Sequence, residues 1–592
     1  LMFHHFKEFS DAGAPSSTAL VKATELQHHQ DAQTGMNFLD SIQIRGYRWD
    51  STLGRYISAA MPPVTFAYTE FRPQRQRYRS IAVQGNQLPS RSLNDPEYAL
   101  VDLFGRGMPD ILHGSSTGFR YWRNRGDGDF DPPQMMAQVP AGVSLGQPGV
   151  AFADLKGDAR ADLLDLSGPL KGFYETAPGA TWQRFRTITS PNVSISDPNV
   201  RLLDLTGDGL TDILVTEPTH LVWYRCLGEE GYGPAQHIER LHALEEFPDI
   251  YFSDPRVRLA DMNGDGLLDI VLLHNGRVDY WPNLGYGRFG LRITMQNAPE
   301  IAFNLDPARL FLADIDGSGC ASLVYVDQNR TRFWFNRSGN GWGSEQAISG
   351  TPAANNGAAV HFADLFGTGT ATLVWSYDFG TQPDGNYKLL DLCGGVKPYL
   401  LVEMDNHLGA TTRVRYASST RFLTDDERAG RTWATPLPSP IQVVEKVEVI
   451  DRVSHTKLVT SYRYHHGYYD GQDREFRGFG RVDQVDSELF ETFAAPGLHP
   501  AEAEFQNKNH EFHAPPVETR TWFHTGTYFD PNQSLSAEEL TGRYRDEYYQ
   551  LDLLAFSLPA HRVDFENDPP NEAFRALSGA VLRSEVYALD GT

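Results

Sequence analysis

Six short stretches between residues 98 and 377 set oxygen-bearing side chains at fixed intervals around a glycine turn. The fullest copy reads Asp261-Met262-Asn263-Gly264-Asp265-Gly266-Leu267-Leu268-Asp269. Asp261, Asn263, Asp265 and Asp269 stand at positions 1, 3, 5 and 9, and the Leu267 carbonyl falls at position 7. A hard cation such as Ca²⁺ takes several oxygen ligands around a tight turn, so calcium binding is the chemistry this spacing suggests. An EF-hand would need Glu at position 12; that position is Leu272, inside a strand-like run, and the EF-hand reading fails. The third copy keeps Asp204, Thr206, Asp208, Gly209 and Asp212. Candidate calcium ligands are therefore Asp261, Asn263, Asp265, Leu267 and Asp269, followed by Asp204, Asp208 and Asp212. Elsewhere the set decays. Lys156 puts a cation at a ligand position in the second copy, which keeps Asp154, Asp158 and Asp162. The fifth has Asp314, Asp316 and Ser318 but ends in Ser322. The first has Phe104 and Arg106 between Asp102 and Asp110, and the sixth has Asp364 with Thr368 and Thr372. In those two the leading Asp is expected to cap its turn by accepting backbone N–H groups, without a metal.

Other chemistry is weaker. His465-His466 with Asp470 and Asp473 suggests a metal or hydrolytic centre, but neighbouring strand residues point to opposite faces, so turn or surface positions are expected. Glu502-Ala503-Glu504 lies in a polar, Pro-flanked stretch, and His28-His29 reads as a solvated run. Neither a Gly-x-Ser-x-Gly elbow nor a phosphate loop appears, and catalysis is not expected. Arg474, Glu475 and Arg477 read as structural cross-strand partners, and Gly478 and Gly480 permit a bulge.

The elements that must position the loops repeat with them. The leading aspartates Asp102, Asp154, Asp204, Asp261, Asp314 and Asp364 recur every 50 to 57 residues. Each loop sits between two short apolar runs. An aromatic signature follows, as in Tyr121-Trp122, Val222-Trp223-Tyr224, Tyr280-Trp281 and Phe333-Trp334. A strand-rich period near 50 means radial repetition of small sheets, so the chain is expected to be all-β, with a six-bladed β-propeller over 76–395. The Trp residues are expected to pack blade against blade. Alternating runs at Phe38–Gly46 and Pro62–Phe71 predict strands before the repeats. After them, Lys397–Tyr416 predicts a hairpin turning at Asn406-His407-Leu408-Gly409, followed by strands at Val443–Asp451 and Lys457–Tyr464. A helix is expected near Glu538–Leu551, and a final strand near Gly579–Asp590.

The bulk numbers agree with a folded, multidomain chain: 592 residues, 40% hydrophobic, 22% charged. The net charge of −24 repels phosphate backbones and anionic lipid, so nucleic-acid and membrane-surface partners are not expected. Three cysteines, Cys226, Cys320 and Cys393, give no disulfide framework. No apolar run is long enough to span a bilayer. The sequence reads as a fragment of a longer polypeptide, with any export information expected outside it.

The loops resemble the FG-GAP/VCBS repeats of integrin-type propellers. Arg45–Ser58 looks like one strand–turn–strand unit of Rhs/YD-repeat proteins. Lys397-Pro398-Tyr399-Leu400-Leu401, Asn406–Arg413, Pro436–Pro440 and above all Arg474-Glu475-Phe476-Arg477-Gly478-Phe479-Gly480 are similar to the B component of bacterial insecticidal toxin complexes. Thr521–Gly526 and Phe574–Arg583 fit the same pattern. The resemblance implies a non-enzymatic part. Residues 1–75 and 396–592 would be Rhs-like shell that, with a C-type toxin-bearing component, encloses a toxic cargo. The propeller would dock onto and gate a pentameric A-type channel component. The alternative is a calcium-stabilised, integrin-like adhesion propeller; a propeller hydrolase would need a His, Glu or Arg cluster in its central channel.

Overall fold

The computed structural model describes residues 2–6, 19–85, 87–177, 179–239, 247–301, 306–354, 358–382, 385–435, 437–454, 456–471, 473–487, 514–527, 537–552 and 570–589. The chain builds one long antiparallel sheet and six small ones of four strands each, with a two-stranded side ribbon.

The long sheet has twelve strands. In order they are Met2–Phe6, Ala19–Gln30, Asn37–Asp50, Val64–Tyr68, Leu401–Asp405, Ala410–Ser418, Gln442–Asp451, Thr456–Asp470, Glu475–Asp486, Val517–Phe523 and Val581–Ala588, with Arg55–Ala60 paired to Asn37–Asp50. The centre of this order is its most informative join. Val64–Tyr68 pairs antiparallel with Leu401–Asp405, and Thr69 N and Tyr399 N bond across the same junction. The chain thus leaves the sheet at one strand and returns beside it, and the small sheets form within that excursion.

Each small sheet is an up-and-down meander, and together they form the six-bladed propeller that the period of about 50 implies. The first five blades are sequential. The sixth takes its outer strand, Arg79–Ser80, from before the first blade, where it pairs with Tyr387–Leu390. That exchange closes the ring. Blade-to-blade packing follows from burial. Trp223 and Trp281 share one apolar cluster between blades three and four, Trp334 and Trp342 another between four and five, and Trp182 joins blades one and two. Apolar clusters also fill the interfaces two–three, five–six and six–one, so all six joints are dry. An indole buried at such a joint removes a large apolar area from water, which is why the aromatic signature recurs once per period.

The predicted strands flanking the ring are present. Two helices were not foreseen, the short Pro570–Arg575 and the Ser419–Arg428 helix, whose cap Ser418 accepts from Thr420 N. The sequence signal of the longer one is slight: a Ser-Ser-Thr start and the Phe422-Leu423 pair on the buried face. The expected late helix spans Ala537–Glu547. Among the described residues no helix is long and apolar enough to cross a membrane. All three cysteines are free; Cys226 and Cys320 are buried, and burial pushes their thiols up to about 12 and about 11.

Candidate functional site

The six Asp-led loops form one rim of the ring, each touching the next. Gly105 lies against Arg160, Gly157 against Leu210, Gly207 against Leu267, Gly264 against Cys320 and Gly317 against Thr370.

Two carboxylates organise each full loop. The leading Asp caps the turn: Asp261 Oδ1 accepts from Gly264 N at 2.7 Å and its Oδ2 from Gly266 N at 2.8 Å. Asp204 accepts from Gly207 N and Gly209 N, both at 2.7 Å, and Asp364 accepts from Thr368 N and Gly369 N. Both amides of such a pair sit in a turn that needs left-handed backbone, hence the paired glycines; Gly264 and Gly266 have φ of 82° and 86°. The last Asp ties the loop to the blade. Asp269, fully buried, accepts from Met262 N at 3.0 Å and Asn283 N at 2.8 Å. Asp212 does the same for Leu205 N and Cys226 N, and Asp110 for Leu103 N and Asn124 N. Burial pushes the carboxyl groups of Asp110, Asp212 and Asp269 up to about 7, against the opposing pull of these N–H donors.

The calcium candidates divide on this geometry. In the third loop arginines stand where a cation would. Arg225 Nη2 donates to Asp208 Oδ2 at 3.0 Å, and Arg474 Nη1 lies 3.8 Å from Asp204 Oδ2. With Asp212 turned onto two buried amides, that loop does not fit a metal. In the fourth loop Asp261, Asp265 and Asp269 also face the loop's own amides, and Asn263 bonds Asp265. Among the described residues no group of three or more His, Cys, Asp or Glu side chains is placed to hold a metal ion. The fourth loop differs in one respect: neither Asp261 nor Asp265 has an arginine partner among the described residues.

The loop rim faces the long sheet. Gly107 lies against Pro438, Ser439 and Pro440; Gly157 against Gly471; and Gly367 against Thr420, while the Ser418 hydroxyl donates to the Gly367 carbonyl. Arg474 donates to the Gly207 carbonyl, and Lys397 lies across Gly317 and Gly369. Neighbouring hairpins on the same rim dock too. Arg337 donates to the Ala32 carbonyl, Arg428 to the Arg125 carbonyl at 2.9 Å, and Glu427 meets Arg123 at 2.7 Å. The opposite rim carries the turns that begin each inner strand, such as Asp197-Pro198 and Asp254-Pro255, and no sheet strand covers them among the described residues. The sequence singled out the loops but held no signal for which rim would be covered.

The histidine pair needs a correction. His465 and His466 are not turn or surface residues; they are 5% and 4% exposed within Thr456–Asp470. Regular alternation is broken there: His466 has a φ of 55°, and the two rings lie 6.3 Å apart. His465 Nδ1 meets Asp426 Oδ2 at 2.5 Å and its Nε2 meets Asp483 Oδ2 at 3.2 Å. His466 Nδ1 accepts from Ala434 N, and its Nε2 meets Glu547 Oε1 at 2.8 Å. Arg481 bonds both Asp483 and Glu547, and Trp522 Nε1 donates to Glu547 at 3.1 Å, so the network joins three strands and two helices. Arg477 is enclosed by Asp470, Asp473 and Glu475, a structural role as expected. Glu502 and Glu504 lie outside the described residues. His28 and His29 are exposed, and His29 pairs with Asp40.

Comparison with known proteins now has a geometry to rest on. Residues 336–495 match the model of the insecticide toxin TcdB middle/N-terminal region, and residues 102–164 match an FG-GAP-like repeat. A solved Tc holotoxin pore from Photorhabdus luminescens aligns with the whole chain at 27% identity and a TM-score of 0.79. A TcdB2-TccC3 crystal structure aligns over the whole chain at 26% identity and 0.68, and another, without its hypervariable C-terminal region, at 26% and 0.69. The chain spans about a quarter of those chains, 26% of the first and 27% of the others. No curated protein sequence matches. In the family model and in the fold the chain is similar to the B component of bacterial insecticidal toxin complexes, with an FG-GAP-type propeller set between the strands of one long sheet.

Proposed function

We propose that the propeller is the docking and gating element of a toxin-complex B component, and that its loop-free rim is the surface that meets a pentameric A-type channel. The carrying observation is the rim asymmetry: five of the six Asp-led loops touch the long sheet or its connecting turns, while among the described residues no sheet strand covers the opposite rim. The long sheet would then be one stretch of a shell built with a C-type component around a toxic cargo. This reading makes the chain a non-enzymatic, secreted bacterial part, with neither nucleic acid nor direct membrane insertion in its role. The open rim carries exposed Asp197, Glu217 and Glu300, so a basic partner surface is the complement. The test is binding of the full-length protein to an A-type pentamer. The Asp197→Arg, Glu217→Arg and Glu300→Arg triple variant should bind about tenfold or more weakly at unchanged melting temperature, chiefly through slower association. An intact protein that does not bind the pentamer, or a triple variant that binds as the native one does, would refute the reading.

A calcium ion, if the ring takes one, belongs to the fourth loop. It alone combines three carboxylates with no arginine counter-charge on Asp261 or Asp265, and it shows no sheet contact among the described residues. Added Ca²⁺ should raise the melting temperature by about 3 °C in saturating ion, and Asp265→Asn should abolish the shift. Asp208→Asn should leave it intact. No shift at millimolar Ca²⁺ would remove calcium from the description.

A further inference from the structure

A cleft of about 830 Å³ opens where the long sheet meets the first and sixth blades. Its walls hold six cations: Arg125 from blade one, Lys397 from the segment re-entering the sheet, Arg413 and Arg415 from Ala410–Ser418, and Arg421 and Arg428 from the adjoining helix. Three acids, Asp127, Glu403 and Glu445, share the lining. In a chain of net charge −24 this is a local reversal of sign.

All of these cations but Lys397 have an acid partner, Arg125 meeting Asp127 at 3.6 Å and Arg428 meeting Asp425 at 3.7 Å. Glu403 takes Arg413 at 2.9 Å. Glu445 is shared, with Arg415 at 2.9 Å and Arg421 at 3.0 Å. Lys397 has no carboxylate within 4.0 Å of its ammonium among the described residues, and its stem lies across Gly317 while its ammonium turns toward Gly369. Lys397 is partly exposed, so its ammonium can take an incoming anion as its counter-ion. Arg421 and Arg428 keep more than half of their side chains exposed, so they can turn toward a ligand.

The chemistry of that ligand follows from where the charges sit. The cations come from four separate elements, and apolar Met108, Phe366, Leu400 and Val402 line the same space. A compact oxyanion calls for one convergent set of donors. Charges carried by several elements, with apolar surface among the lining, match a chain bearing carboxylates at intervals. One wall is a sheet face, along which an extended strand would lie with its side chains alternating. We propose that this cleft binds an acidic polypeptide segment in extended form, its carboxylates met by Lys397, Arg415, Arg421 and Arg428. The site lies on the covered rim of the propeller, so the proposal stands whether or not the open rim docks a channel.

Fluorescence anisotropy with a labelled hexaglutamate peptide and the full-length protein tests it. Saturable binding in low salt is expected, weakened about tenfold or more by 0.5 M NaCl, with no binding of hexalysine. Lys397→Glu with Arg421→Glu should abolish binding at native melting temperature. If that pair disturbs the fold, Lys397→Gln with Arg421→Gln should weaken binding several-fold. Absence of hexaglutamate binding, equal binding by the folded variants, or stronger competition by polyphosphate or single-stranded DNA than by unlabelled hexaglutamate would each overturn the proposal.

Discussion

Asp269→Ala should lower the unfolding free energy by about 2–6 kcal/mol, because two buried N–H donors lose their acceptor at about 1–3 kcal/mol each. Met262 and Asn283 are fully buried, and their amides point at the two Asp269 oxygens. Water cannot replace the carboxylate there without opening the blade. Asp269→Asn keeps one acceptor oxygen and should lose about half as much. Asp265→Ala is the control: its carboxylate is exposed, and its loss should stay within about 0.5 kcal/mol in the presence of a chelator. Urea midpoints of the three variants decide the matter. A loss below about 1 kcal/mol for Asp269→Ala would show that the carboxylate is not the blade's latch. The same geometry recurs at Asp212, which should behave as Asp269 does, whereas Asp110 also holds the buried Arg106 at 3.0 Å and its loss should cost more.

Asp426→Ala should cost about 3–5 kcal/mol, the range for removing one partner from a buried charge network. Asp426 receives four donors. His465 Nδ1 and Trp433 Nε1 approach its Oδ2 at 2.5 and 2.8 Å, and Arg431 Nε and Nη2 approach its Oδ1 at 3.1 and 2.7 Å. Its removal strands His465 between Asp483 and an empty space. The network also fixes a pH profile. Burial alone would lower the His465 pKa, but hydrogen bonds to Asp426 and Asp483 outweigh it, and the net shift is upward. Burial would raise Asp426, Asp483 and Glu547, but their histidine and arginine partners outweigh it, and all three end below the usual carboxylate range, Glu547 at about 2. For His465, a raised folded pKa gives stability that is complete below the unfolded value of about 6.5 and is lost as pH rises through the folded value. For the acids, depressed folded values give stability present above about 4 and lost only as pH falls through them. The contribution of this network should therefore be level between about pH 4.5 and 6.5 and decline on the alkaline side, superimposed on the loss that the raised carboxyls of Asp110, Asp212 and Asp269 bring as pH climbs from about 4 to about 7. Denaturant midpoints from pH 5 to 9 should show a steeper decline above about pH 6.5 in the native protein than in Asp426→Ala, where His465 keeps only its Asp483 partner. An alkaline limb unchanged by the substitution would assign it to other groups.

The ring was legible because its signals are local. A period of about 50, one Asp-led loop per period and one aromatic strand per period follow from each blade solving the same packing problem with nearest neighbours. The strands of the shell were legible by alternation, and the Arg474–Gly480 run marked the family. The calcium spacing was legible as well, but spacing fixes only residue types. Arg225 and Arg474 occupy the third loop's charge environment, and Arg474 comes from a hairpin turn more than 260 residues away. His465 and His466 looked like surface residues because their partners, Asp426, Asp483 and Glu547, are supplied by other elements.

Sequence by itself determined the repeat, the loop chemistry and the class of each strand, since these depend on neighbours within a few tens of residues. Tertiary structure decided three further things. The Val64–Tyr68 strand pairs with Leu401–Asp405 across the whole ring, the loop rim faces the shell, and the cations beside it outnumber their acids. Each of these depends on surfaces contributed by segments hundreds of residues apart. Burial and charge balance there are properties of the assembled packing, and no local pattern carries them.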